Sequence, residues 1–178
     1  SVYSSFNLKY IDESTPVNPV NYYGEIKLAA EKIIQSSGIN FTILRPTNIF
    51  GIPGDKYANY FHKIKYRGKR LGIVFYYNRN THLLYLYDLI DVIKTCIQNS
   101  ASDGQIFIVS DDENNTFEKN ILSETIKILG IKKTLLPYPL FWRNKDSRAF
   151  SSGNLTRILK FKIRYGVNAG LKRYLRVI

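Results

Sequence analysis

Residues 22–46 run a helical pattern straight into a short apolar strand, and that order most constrains the fold. Ile26, Ala29, Ala30, Ile33 and Ile34 recur at helical spacing, and Ser36-Ser37-Gly38 closes the segment with Gly38 as its cap. Asn40-Phe41-Thr42-Ile43-Leu44-Arg45 then reads as a strand, being short, β-branched and bounded by Gly38 and Pro46. A helix leading into such a strand predicts an α/β fold, a parallel sheet with crossover helices. Ligands of open parallel sheets bind beyond the carboxyl ends of the strands. The turn-rich stretch 46–54 reads as a loop at that end, where Asn48 offers both a donor and an acceptor.

The rest of the chain repeats these signals. Val2-Tyr3-Ser4-Ser5 reads as the end of a buried strand, followed by a polar loop over 7–18. A basic, aromatic-rich helix is predicted over 56–66, ended by Arg67-Gly68. Strands are predicted over 72–77 and 83–87, separated by the turn Asn78-Arg79-Asn80. Leu89, Ile90, Ile93 and Ile97 mark a helix over 88–98, and Ile106-Phe107-Ile108-Val109 a buried strand. Thr116 caps a predicted helix over 117–129, Gly130 ends it, and a last helix lies near 167–175. Tyr76-Tyr77 and Phe141-Trp142 read as packing aromatics. Asp111-Asp112-Glu113 reads as a polar loop, since no partner ligands stand at a metal-binding spacing. No repeat, low-complexity tract or interdomain linker interrupts the pattern.

A length of 178 residues suits one medium domain with a core of its own, and 44% hydrophobic residues fit a globular protein. No apolar run approaches a membrane span. The single Cys96 excludes an internal disulfide and a cysteine zinc site, and is compatible with a reducing, cytoplasmic compartment. The net charge of +12 attracts polyanions, from nucleic acid to phosphorylated small molecules, but no nucleic-acid-binding motif accompanies it. The chain starts at Ser1 and contains no methionine, so a C-terminal fragment, a cropped chain or a split gene product is expected.

Within Asn21-Tyr22-Tyr23-Gly24-Glu25-Ile26-Lys27-Leu28-Ala29-Ala30-Glu31, Tyr23 and Lys27 stand four residues apart. On a helix both lie on one face, one turn apart. A lysine ammonium beside a phenol favours the phenolate, which can exchange a proton with a substrate hydroxyl. The same spacing also arises by chance on helix surfaces, so taken alone the pair fits either role.

Its surroundings narrow the choice. Tyr23-x-x-x-Lys27 with Leu28-Ala29-Ala30-Glu31, then Ile43-Leu44-Arg45-Pro46-Thr47-Asn48-Ile49-Phe50-Gly51, then Leu86-Tyr87-Asp88-Leu89, resembles the extended short-chain dehydrogenase/reductases. The likeness is to their NAD-dependent nucleotide-sugar epimerases and dehydratases, and it runs over nearly the whole chain. Asn78-Arg79-Asn80, Ile108-Val109-Ser110-Asp111 and Leu135-Leu136-Pro137 look like the bacterial polysaccharide branch. The resemblance implies the C-terminal half of a Rossmann-type sheet plus a small α/β substrate-binding domain. Residues 1–54, intertwined with strands near 83–98, would belong to the NAD-binding part, and 55–178 mainly to the substrate-binding part. The family's glycine-rich dinucleotide loop has no counterpart here. Its catalytic Ser or Thr would fall just before Ser1.

By the same resemblance Tyr23 is the catalytic acid/base and Lys27 its partner, both also touching the cofactor, and Pro46 packs against the nicotinamide. Asn48 contacts the sugar nucleotide. The arginine that pairs with the diphosphate in the family has Thr81 in its place. Its neighbour Arg79 fits either a solvated turn or a phosphate contact, and His82 either a structural role or a ligand role. The implied cofactor is NAD, with NADP as the alternative. The implied partner is a nucleotide-diphosphate sugar, and the complete protein would be a homodimer. The implied activity is a UDP-sugar 4-epimerase of surface-polysaccharide biosynthesis. The alternatives are a nucleotide-4-keto-sugar reductase or a truncated, non-catalytic basic protein.

Overall fold

The structure, a computed structural model, describes residues 2–3, 10–66, 72–112, 117–139 and 148–177. The expected features at Ser4-Ser5, Arg67-Gly68, Glu113, Thr116 and Phe141-Trp142 lie outside these residues.

The α/β expectation holds. Among the described residues eight short strands, β1 (Tyr10–Ile11), β2 (Thr42–Pro46), β3 (Asn48–Phe50), β4 (Ile73–Tyr76), β5 (Leu83–Tyr85), β6 (Gln105–Val109), β7 (Thr134–Pro137) and β8 (Ala149–Phe150), form four parallel pairs. The pairs are β1 with β8, β2 with β6, β3 with β5 and β4 with β7. Helices α1 (Tyr22–Ser36), α2 (Lys56–Tyr66), α3 (Leu86–Ile97), α4 (Glu118–Ile128), α5 (Gly153–Leu159) and α6 (Gly166–Tyr174) connect and cover them.

Several boundaries differ from the sequence reading. The stretch 46–54 is not all loop, because Asn48–Phe50 forms β3 on β5. Its pairing partner lies over thirty residues away, so only the tertiary fold reveals the ladder. The strand expected over 83–87 stops at Tyr85, whose extended backbone caps α3. Helix α5 was not foreseen; its Leu155 and Leu159, four apart, are buried. Val2 and Tyr3 are buried outside any strand, and the Val2 carbonyl accepts from the Asn18 amide at 2.9 Å.

Two principal cores result. One gathers Phe50, Leu83 and Tyr85 under Phe61 of α2, Leu122 of α4 and Leu171 of α6. The other lies between the β2–β6 pair and helices α3 and α5, around Leu84, Val92, Phe107 and Leu155. A small third cluster joins Val2, Tyr3, Ile11 and Ile108.

Carboxylates tie backbone to these cores. Asp88 is fully buried and accepts from the amides of Arg164, Tyr165 and Gly166 at 2.8–3.0 Å, while Asp111 accepts from Val167 at 2.7 Å. Together they take four consecutive amides where α6 begins, donors the helix itself leaves open. Burial pushes the Asp88 carboxyl above its usual range, and the nearby Asp111 charge adds to this. Asp112 accepts from Ser152.

Asp55 does the same before α2. Its carboxylate accepts from the amides of Gly51, Ile52, Tyr57 and Ala58 and from the Tyr174 hydroxyl. Burial alone would raise this carboxyl, but the Tyr174 hydroxyl and the backbone amides outweigh it and hold it below 3.8. A depressed native value adds stability above the unfolded value and loses it as pH falls through the native one. Asp55→Asn should therefore cost about 1–2 kcal/mol near neutral pH. In denaturation curves that cost should shrink between about pH 5 and pH 2. A second expectation concerns Gly170 of α6, where an added Cβ would stand 2.6 Å from Tyr85 Cγ and 2.9 Å from Phe50 Cζ. Gly170→Ala should overpack this contact and lower the unfolding free energy by about 1–3 kcal/mol in urea.

Candidate active site

The site forms where the backbone changes partners. Pro46 pairs opposite Val109 of β6, and two residues later Asn48 pairs opposite Leu83 of β5. The Thr47 amide donates to Val109 O at 3.0 Å, and the Asn48 amide to His82 O at 2.7 Å. The two ladders part at the carboxyl end of β2, and a cavity of about 840 Å³ opens there.

Helix α1 supplies one wall. Asn21 caps it, its side-chain oxygen accepting from the Gly24 amide at 2.9 Å, which sets Tyr23 and Lys27 in the first two turns. The Lys27 ammonium lies 5.6 Å from the Tyr23 ring centroid, and both side chains line the cavity. Tyr23 is 64% exposed. The Ile26, Ile33 and Ile34 side chains of the expected apolar face are exposed, at 49%, 69% and 36%.

Pro46, Thr47, Asn48 and His82 also line the cavity. The Asn48 side chain donates to Thr81 O at 2.8 Å and accepts from Lys56 Nζ at 3.3 Å. His82 is buried, adopts the left-handed backbone region at φ 48°, and meets Phe150 edge-on at 4.9 Å. Five of the residues singled out from the sequence, Tyr23, Lys27, Pro46, Asn48 and His82, thus share one cavity. Arg79 does not join them. Its guanidinium bonds the buried Glu118 carboxylate at 2.9 Å and covers the Tyr77 ring at 4.8 Å, tying the turn to the start of α4.

The lining also holds the charged residues Glu31, Arg45, Lys56 and Arg148 and the phenol of Tyr3, to which the sequence reading gives no role in the site. Glu31 carried a signal, standing four residues beyond Lys27 on the same helix face. Arg45 carried another, as a charge inside an apolar strand that demands a partner. It forms a two-pronged bond to Glu31, at 3.1 and 2.6 Å, and its third nitrogen donates to the Tyr3 hydroxyl at 2.5 Å. Burial raises the Tyr3 phenol above 10.0, although Arg45 opposes it. Lys56 and Arg148 add cations from a helix start and from a segment about a hundred residues away; spacing could flag neither. No group of metal ligands occurs among the described residues, and no described helix is long and apolar enough to cross a membrane.

Comparison with known proteins agrees with this architecture. The family model described as the RmlD substrate binding domain matches residues 2–121. A UDP-glucose 4-epimerase of Vibrio cholerae is 32% identical over 143 residues, covering 77% of this chain and 43% of that protein. The UDP-N-acetylglucosamine 4-epimerase of Bacillus cereus superposes with a TM-score of 0.81 at 18% identity, covering 99% of this chain and 63% of that one. The Bordetella bronchiseptica enzyme WbmG, solved with NAD and UDP, gives 0.76 at 15% identity, covering 98% of this chain and 56% of its own. The chain therefore spans about half the length of the epimerase it matches in sequence. It belongs to the RmlD substrate-binding-domain family, within the extended short-chain dehydrogenase/reductases that include the epimerases and dehydratases.

Proposed function

We propose that this chain carries the proton-transfer and sugar-binding machinery of a nucleotide-sugar 4-epimerase that uses NAD or NADP. The observation that carries the reading is the meeting of Tyr23 and Lys27 with Asn48 and His82 in one cavity at the end of β2. The epimerase names of its sequence relative and its structural neighbour point the same way.

The residues present fit one end of a dinucleotide. Lys27 offers donors for ribose hydroxyls, and Pro46 an apolar floor for a planar ring. The phosphate-cradling loop is not among them, since no glycine-rich fingerprint occurs in the sequence. When bound, the nicotinamide supplies hydride exchange. This chain's own work is the proton. Tyr23 as phenolate takes it from a sugar hydroxyl while the adjacent carbon is oxidised, then returns it to the ketone oxygen after the sugar has turned. The Lys27 ammonium stabilises the negative phenolate oxygen. Asn48 and His82 orient the sugar nucleotide, and Lys56 and Arg148 meet its diphosphate with positive charge. Arg79, held by Glu118, takes no part in this scheme.

The same pair would serve a 4-keto-sugar reductase, where the proton moves once; NMR analysis of the products separates the two. The division at residue 54 between cofactor and substrate parts, the homodimer, the cytoplasmic location and the role in surface polysaccharide synthesis belong to the same proposal.

Calorimetric titration tests the binding part. UDP-glucose should bind the chain, and Lys56→Ala with Arg148→Ala should weaken it at least about tenfold. NAD alone should bind poorly, and micromolar affinity would contradict the missing cradle. Tyr23→Phe should keep UDP-glucose affinity within about twofold yet lower turnover about 100-fold or more in any preparation that epimerises. An unchanged rate in that variant would remove Tyr23 from the chemistry.

A further inference from the structure

Helix α1 holds the proposed acid/base pair, yet it is scarcely packed. Of its fifteen residues Gly24 is buried, Leu28 and Glu31 are half-buried and the other twelve are exposed, Ile34 and Ile26 only partly, at 36% and 49%. Leu28 lies against the small cluster around Val2, Tyr3 and Ile11, which provides little apolar area. The third anchor is polar and directional. Glu31 holds Arg45 with both oxygens, and the two side chains are only 12% and 11% exposed. The Arg45 guanidinium also donates to the Tyr3 hydroxyl and lies 5.1 Å from the Tyr3 ring centroid.

We propose that the Glu31–Arg45–Tyr3 cluster is the positioning device of the site, setting the rotation and height of α1 so that Tyr23 and Lys27 face the end of β2. The inference rests on the role given above to Tyr23 and Lys27. Arg45 directly precedes Pro46, so its fork ties the helix to the residue that floors the cavity. Tyr23, Lys27 and Glu31 are spaced by four, and each step turns the helix about 40° beyond a full turn and climbs about 6 Å. A fork at Glu31 therefore fixes where the phenol points two turns away. Apolar packing by Leu28 alone would let the helix slide or roll, because dispersion contacts have little directionality. A planar guanidinium engaged on two edges and one face has few alternative arrangements.

Two measurements on the free chain test this. The first is hydrogen–deuterium exchange read by mass spectrometry. The second is NMR of the chain labelled at tyrosine ring carbons. In Glu31→Gln and in Arg45→Lys, amides of residues 24–36 should exchange about tenfold faster or more, while those of β6 and α3 keep their protection. The Tyr23 ring signal should move toward that of a solvent-averaged tyrosine, while Tyr85 and Tyr174, in the main core, stay in place. Arg45→Lys keeps the charge but loses the fork, so it should not restore the wild-type signal. Tyr3→Phe, which leaves the ion pair intact, gives a smaller shift of the same kind and serves if the charge variants fail to fold. An unmoved Tyr23 signal in variants that have lost the fork would overturn the proposal. So would Tyr85 and Tyr174 shifting together with Tyr23, which would make the cluster a general stability element. Neither readout requires ligand. A chain that shows the Tyr23 effect but ignores UDP-glucose would disprove the proposed function and leave the positioning role intact.

Discussion

Between Pro46 and Asn48 the backbone exchanges one ladder partner for another, and most of the site depends on that exchange. A strand can satisfy its amides and carbonyls on one neighbour only as long as the two run side by side. Here β2 is satisfied by β6 up to Pro46, and β3 by β5 from Asn48 onward. Proline suits the parting point because it has no amide to satisfy. The Thr47 amide keeps a last hold on Val109, and the cavity fills the angle between the diverging pairs. Polar side chains from both directions can reach that angle without being buried in either core.

Around this split, the fold manages its polar backbone with a handful of carboxylates. Asp55 collects the amides ahead of α2, Asp88 and Asp111 those ahead of α6, and Asp112 that of Ser152 before α5. Each stands where a loop meets a helix in partly or fully buried surroundings, and unpaired amides there would be expensive. The acidic Asp111-Asp112 pair is thereby explained as backbone capture. The same logic covers Arg79 and Glu118, whose bond joins a turn to a helix start.

Much of this was legible in the residues. The helix-then-strand order gave the parallel α/β arrangement, and Tyr23, Lys27, Pro46, Asn48 and His82 do converge. Each owes its place to local spacing or to a strand end, and both are properties of nearby sequence. What escaped was decided by distant partners. Strand β3 exists because β5 lies beside it, helix α5 because Leu155 and Leu159 have a core to enter, and Arg148 joins the cavity from a segment without pattern. Arg79 shows the converse: a turn arginine close in sequence to the cavity-lining His82 bonds a carboxylate 39 positions along the chain.

The fork between Glu31 and Arg45 also limits how this chain can change over evolutionary time. Replacing either residue singly leaves a mostly buried charge without its counterpart, which is costlier than having neither. The two positions can therefore exchange for a different pair only through an intermediate that is worse than both ends. Because both residues line the cavity that Tyr23 and Lys27 also line, drift at either position is felt at the cavity wall.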